Sequence, residues 1–360
     1  MLRFSQIKSY LEKNKKRISP ALFLGGFIFD IFTLTQVDLL FDNMILLGHL
    51  LIITLSIWLI HLGKREQVFA NWIEKLIIFA PFTLVFSFGG VLSGYVIFYT
   101  KSASIFSNWP FLIALYLLFI SSEYIFNKYQ QTIFQVAMWY AATLSFMIFF
   151  IPVIIRSVGP WVFLLSNLVS IIVGWFFVHV LIKAYNPTRG YLAIIKAIFV
   201  FISLGFIGLY FTNIIPPIPL SVKESGMYHL VARDATNTLI GYRKEKSFFD
   251  KIDPREKISI TPESPVYGYT SVFAPSQIDI PLQHVWEKKN KFGTWTEFTR
   301  STFTLNGGRE NGFRWYSFIT PTEGSWRLRT MTMHGQEVGQ MPFTVTYSSR
   351  TPTLVKNELE

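Results

Sequence analysis

Residues 209–229 read LYFTNIIPPIPLSVKESGMYH, and the chain changes character inside them. Ile214, Ile215 and Ile218, with their prolines, close a long apolar run; from Ser221 onward polar and β-branched residues take over. Pro216, Pro217 and Pro219 each lack a backbone N–H and hold φ near about −65°. A helix arriving from Leu209 cannot run through them, and the residue before each proline is pushed towards extended backbone. Residues 214–221 are therefore expected to be a short, stiff linker, unlike a Gly/Ser spacer that lets its domains wander.

Upstream of that break the composition is that of a membrane domain. Of 360 residues, 51% are hydrophobic and only 15% charged, and 36 are phenylalanine. That is too apolar for an ordinary water-exposed chain. A spanning helix needs roughly 20 largely apolar residues. Seven stretches qualify: 20–41, 44–62, 76–99, 109–123, 134–155, 160–182 and 192–213. The first is interrupted by Asp30, Gln36 and Asp38, and the fourth is short.

The charges give an orientation. Fifteen Lys/Arg and seven Asp/Glu precede Thr212, whereas 18 and 15 follow it, so most of the net +11 lies in the apolar part. A nucleic-acid-binding domain would concentrate it in the polar part, and no nucleic-acid partner is expected. The N-terminal arm, residues 1–19, carries Arg3, Lys8, Lys13, Lys15, Lys16 and Arg17. The loops that would share its side add Lys64, Arg65, Lys75, Lys128, Lys183, Arg189 and Lys196, against Lys101 and Arg156 on the other loops. By the positive-inside rule the arm is cytoplasmic, where it meets anionic headgroups, and seven crossings carry everything after Pro216 to the far side. The arm is not a cleavable signal peptide, because the apolar run behind it is too long and no small-residue cleavage site follows. The absence of cysteine excludes a disulfide, a thiolate metal site and a cysteine nucleophile.

Polar residues inside spans are costly and mark candidate sites. Asp30 and Asp38 lie eight positions apart, about 80° around a helix, and share a broad face. One reading is a relay for protons or cations. The other ends the first helix near Leu34 and leaves Asp38 and Asp42 at the membrane interface; Asp30 is deep either way. Ser87, Gly90 and Gly94 in SFGGVLSG form a small-residue stripe suited to close helix packing, and to a homo-oligomer through these helices. A broken transporter helix at Gly89–Gly90 is the sharper alternative. His49, His61 and His179 are scattered, with no i, i+4 pair to hold a metal. They read as packing or interfacial residues, and no metal or cofactor is expected.

Downstream the period becomes two. PVYGYTSVF, LQHVWEKK, TWTEFTRSTFTL, FRWYSFI, SWRLRTMTM and MPFTVTY are strand-length runs rich in β-branched and aromatic residues. KNKFG, NGGRENG, TPTEG and HGQ punctuate them as turns. With weaker runs at MYHLVAR and TLIGYRK, they predict seven or eight short strands in residues 222–348. The expected fold is an all-β immunoglobulin-like sandwich following an all-α membrane bundle (20–213), with a flexible tail at 349–360. Without a disulfide, Trp286 or Trp326 has to anchor the core by packing.

PPIPLSVKESGMYH, YTSVFAP, HVW, NGGRENGFRWYS, GSWRLRT and GQMPFTV, in that order, resemble a bacterial membrane-protein family. Its members end in a compact domain of unknown function, 2914, and GFIFDIFTLTQVD is similar to what precedes that domain. The resemblance implies a multi-pass protein of the bacterial inner membrane with a periplasmic or otherwise extracytoplasmic C-terminal domain. It implies no activity. YRKEKSFFDKIDPREK has no counterpart, and TMTM puts threonines where valines are more typical.

Two clusters are candidate binding residues. Arg309, Arg314, Trp315 and Tyr316 surround a glycine-rich turn; paired guanidiniums can grip carboxylate or phosphate, and the aromatics could stack on a sugar or peptide side chain. The plainer reading is a wide hairpin whose glycines supply positive φ. His284 and Trp286 share a strand face, either lining a site or lying in the core as a tryptophan beside a hydrogen-bonded histidine. No GxSxG, Walker loop or locally marked Ser-His-Asp set is present, and Asp250 and Asp253 read as solvated loop acids. The expectation is a binding or scaffolding module for an envelope protein, peptide or glycan. A transporter or channel using the polar first helix is the alternative.

Overall fold

The structure is a computed structural model. It describes residues 25, 27–30, 32, 40–64, 70–102, 105–124, 132–185, 189–217, 219–235, 238–244, 256–276, 278–309, 311–349 and 353–359. The basic arm, Asp38, Asp250 and Asp253 lie outside them. The chain forms two compact units: residues 1–100, 110–155 and 160–214 in one, and 101–109, 156–159 and 215–360 in the other.

The first unit is helical. Helical backbone at residues 27–30 (α1) is followed by α2 (Leu40–Leu62), α3 (Asn71–Ser102), α4 (Ile105–Tyr124), α5 (Thr132–Ile155), α6 (Pro160–Tyr185) and α7 (Arg189–Phe211). Among the described residues, α2, α3, α5, α6 and α7 are long and apolar enough to cross a membrane. The apolar part of α4 runs only over Asn108–Leu117, and most of the first expected span is outside the described residues.

Side-chain hydrogen bonds join these helices, as an environment without water requires. Trp139 Nε1 on α5 donates to Thr54 Oγ1 on α2 at 2.8 Å, and the Tyr140 and Ser203 hydroxyls pair at 2.6 Å between α5 and α7. The Tyr140 ring stacks on Phe199 at 4.0 Å. Gly174 lets α6 come close: a Cβ there would stand 2.8 Å from the Phe199 ring.

The end of α7 is set before any proline. Asn213 takes φ 58°, and the Ile214 N–H reaches back to the Leu209 carbonyl at 3.0 Å, a left-handed helix cap of the kind asparagine tolerates. Pro216, Pro217 and Pro219 are buried, and the Leu220 N–H bonds the Pro217 carbonyl at 3.0 Å. Where an extended linker was expected, the chain turns.

The second unit contains β1 (Ser221–Tyr228), β2 (Leu230–Arg233), β3 (Leu239–Lys244), β4 (Glu256–Ile260), β5 (Val266–Phe273), β6 (Asp279–Lys289), β7 (Trp295–Asn306), β8 (Phe313–Ile319), β9 (Gly324–Thr332), β10 (Glu337–Tyr347) and β11 (Leu354–Glu358). They form three sheets, ordered β1-β5-β8, β4-β10-β9-β6-β7 and β11-β3-β2. Pairing is antiparallel except between β4 and β10, which run parallel. Alternation decides the faces. On β9, Trp326, Leu328, Thr330 and Thr332 are buried while the residues between them are partly exposed.

Trp286, Trp326, Leu328, Phe343 and Val345 of the five-stranded sheet share a core with Met227, Val266 and Ile319 of the β1-β5-β8 sheet. Two sheets with one core make a sandwich. Both tryptophans named as anchors are buried, and each also donates its indole N–H: Trp286 to Ser317 Oγ at 2.9 Å and Trp326 to the Thr322 carbonyl at 2.8 Å.

The expectation of a free tail from 349 is corrected at Leu354–Glu358. That segment pairs with β3 in register, Leu354 opposite Lys244 and Glu358 opposite Ile240, and Leu359 is fully buried. Its polar, weakly alternating residues hid the strand. The third sheet covers part of the sandwich through a second cluster of Tyr228, Val231, Leu239, Tyr269 and Leu359.

Candidate functional site

The glycines of the turn supply positive φ as the sequence suggests, but the turn carries the chain from β7 in one sheet to β8 in another, so the wide hairpin expected there does not form. Gly308 and Gly312 take φ 91° and 86°, and the Gly312 N–H closes on the Arg309 carbonyl at 3.0 Å. Among the described residues, β8 leaves this turn as an edge strand, paired with β5 on one side only. Because successive side chains on a strand point to opposite faces, the cluster expected there divides.

Trp315 faces inward, stacked on Phe303 at 4.9 Å beside Phe313. Arg314, Tyr316 and Phe318 have the opposite parity. Tyr316 and Phe318 both pack against Tyr267 of β5, at 6.2 and 5.4 Å between ring centroids, and Phe318 is 61% exposed. Arg309 is exposed on the turn, its guanidinium 5.4 Å from the Phe313 ring. The structure thus brings Tyr316 together with Tyr267 and Phe318, two residues the sequence did not single out, and takes Trp315 away.

His284 and Trp286 do share a face, and it is the core face. His284 Nε2 meets Thr270 Oγ1 at 2.7 Å, and Nδ1 meets Ser317 Oγ at 2.9 Å, the same hydroxyl that accepts from Trp286. With both nitrogens satisfied by hydroxyls and no access to water, burial drives the imidazole down to about 3, and it is neutral at ordinary pH. It is the core tryptophan–histidine arrangement.

A charged row on the outer face of the five-stranded sheet was not anticipated. Glu287 on β6 pairs with Arg327 on β9 through Oε2 and Nε, and with Arg329 at 3.4 Å. Arg329 in turn holds Glu337 of β10 at 2.8 Å. WEKK and SWRLRT contain these residues, but only the β6–β9 register, which sets Glu287 opposite Arg327, joins them.

In the helical unit, Asp30 is buried and its Oδ2 accepts a hydrogen bond from Ser93 Oγ of α3. His49 of α2 stands nearby, with Nε2 3.9 Å from Asp30 Oδ1. Ser87, Gly90 and Gly94 are buried on α3. Gly90 faces the His49 ring, which a Cβ would approach to 2.7 Å.

Comparison with known proteins bears on the second unit. Residues 280–345, from the start of β6 into β10, match the model of a protein family of unknown function. The family is DUF2914. The DUF2914 region therefore contains His284, Trp286, Arg309, Arg314, Trp315, Tyr316 and the charged row. No curated protein matches the chain. Among solved structures, a Pseudomonas fluorescens alkylpurine DNA glycosylase AlkC, bound to DNA containing an abasic site analog, aligns at 9% identity and a TM-score of 0.20. The alignment covers 86% of this chain and 99% of that one. A superposition so loose carries no relation of fold or function.

Proposed function

We propose that the protein is a multi-pass inner-membrane protein whose immunoglobulin-like β unit lies outside the cytoplasm and binds or scaffolds an envelope protein, peptide or glycan. The observation that carries the reading is the aromatic row of Tyr267, Tyr316 and Phe318, with Arg314 on the same parity, on an edge strand. An exposed phenylalanine beside Tyr267, which also meets Tyr316, is a surface on which a sugar ring or a flat peptide side chain can stack. The unpaired backbone of β8 can add an extended peptide as a further strand, and a guanidinium at its rim favours a carboxylate or phosphate.

A photo-reactive amino acid in place of Phe318 in the full-length protein is expected to trap one envelope component, and Tyr316→Ala is expected to reduce that trapping. Equal trapping from Phe292, at the β6–β7 turn, sinks the reading. Because the chain has no cysteine, a single Lys291→Cys substitution reports sidedness. Labelling by a membrane-impermeant maleimide in intact spheroplasts is expected, and labelling only after lysis overturns the orientation.

A second reading, a transporter or channel working through the first helix, is favoured by the burial of Asp30 among three helices. Its test is flux in proteoliposomes carrying a pH-sensitive dye, which Asp30→Asn should abolish; a wild-type protein that moves no protons or cations ends it.

A further inference from the structure

Asp30, Ser93 and His49 come from three different helices and meet away from solvent. Ser93 holds one carboxylate oxygen and also bonds the Gly90 carbonyl at 2.8 Å. The other oxygen, Oδ1, makes no hydrogen bond among the described residues, and neither do the buried His49 Nδ1 and Ser87 Oγ. The imidazole is seated against α3 where Gly90 has no side chain, with Phe86 flanking it at 5.8 Å. Gly90, in a motif that reads as helix packing, is here the slot for a histidine.

A lone carboxylate in hydrocarbon is expensive. It escapes by taking a proton itself or by facing a protonated imidazole, and both solutions place one proton on the pair. A second proton leaves net positive charge and none leaves net negative charge, each penalised in a low-dielectric site. The present 3.9 Å separation is beyond hydrogen-bond reach, and a shift of about one ångström closes it. One carboxylate, one hydroxyl and one imidazole supply too few oxygens to replace the shell of a hard metal ion.

We propose that Asp30 and His49, positioned by Ser93 and Gly90, form an intramembrane proton-binding pair that holds a single proton between carboxylate and imidazole. When the proton passes from Nε2 to Oδ1, an N–H bond breaks, an O–H bond forms, and imidazolium and carboxylate both become neutral. No other reactant is consumed. His49 is the titratable group facing Asp30 from α2, and Ser93 is the polar group facing it from α3. The inference deepens the transport reading but stands or falls on its own measurement.

The test uses the full-length protein in lipid nanodiscs. The ¹⁵N signals of His49, one of six histidines, are assigned by their loss in His49→Gln, and the protonated-carboxyl infrared band of Asp30 by its loss in Asp30→Asn. Asp30→Asn is expected to shift the His49 signals, and His49→Gln to shift the Asp30 band. Gly90→Ala should reproduce both shifts without touching a titratable group, while Gly94→Ala should reproduce neither. Unmoved His49 signals in Asp30→Asn overturn the pair. Should that variant fail to insert, the wild type alone decides: both signals must change together through the same pH interval, and separate midpoints overturn the proposal. Coupled signals without proton flux support the pair and remove the transport reading. Uncoupled signals remove the pair whatever the flux.

Discussion

Ser317 on β8 and Trp286 on β6 are joined across the sandwich by one hydroxyl, which accepts the indole N–H at 2.9 Å while also meeting His284. This contact ties the edge strand of one sheet to an inner strand of the other.

Ser317→Ala leaves the indole N–H and one imidazole nitrogen without their partner. Buried groups so stranded cost about 1–3 kcal/mol. The expected outcome is a lower unfolding temperature of the β unit with the helical signal unchanged, followed by near-ultraviolet circular dichroism. Ser317→Thr should restore most of the loss.

Acid should weaken the same core. His284 is held to about 3 when folded and returns to about 6.5 when unfolded. Below pH 6.5 the unfolded state therefore binds a proton that the folded state refuses. Its contribution is fully present above that value and is lost as pH falls towards 3, by about 1.4 kcal/mol per unit. His229, also lowered by burial, acts in the same direction. Denaturant midpoints between pH 7 and pH 5 should fall in the wild type and fall less in His284→Gln.

Glu287 is the shared acid of two arginines. Glu287→Gln keeps its shape but leaves the two guanidiniums side by side on β9, with Glu337 still holding Arg329. A loss of about 1–3 kcal/mol is expected. In a double-mutant cycle with Arg327→Gln, the two losses should fail to add by about 0.5 kcal/mol or more, whereas additive losses would mean that the row is merely solvated.

Gly268 lies under the core, where a Cβ would run into Leu328 and stand 2.8 Å from the Trp286 ring. Gly268→Ala should cost about 1–3 kcal/mol through overpacking. Hydrogen exchange along β5 and β6 is the readout, and unchanged protection would show that Leu328 yields freely.

Much of the architecture was legible because hydrophobic period is a local property. The strand MPFTVTY alternates as read, with Phe343 and Val345 in the core, and the six apolar runs after the first became helices within a few residues of their expected limits. The site was legible only in part. Trp315 and Tyr316 are neighbours on a strand, so the two-residue period that revealed β8 also forbids them from sharing a face. His284 and Trp286 keep the right parity for a shared face, but nothing local tells core from surface. His49 is 19 positions from Asp30, and Glu287 is 40 from Arg327; such meetings depend on helix packing and sheet register, which no short stretch encodes. β11 was missed for the same reason, because its partner β3 lies more than a hundred residues earlier.

That last pairing has a consequence for biosynthesis. β2 and β3 leave the ribosome long before Leu354, and until β11 arrives β3 presents an open row of amide and carbonyl groups. An open edge invites strands from other chains. A nascent or clipped chain ending ahead of Leu354 would carry an adhesive margin that the finished protein conceals, which makes the third sheet a built-in report on whether translation has passed that point.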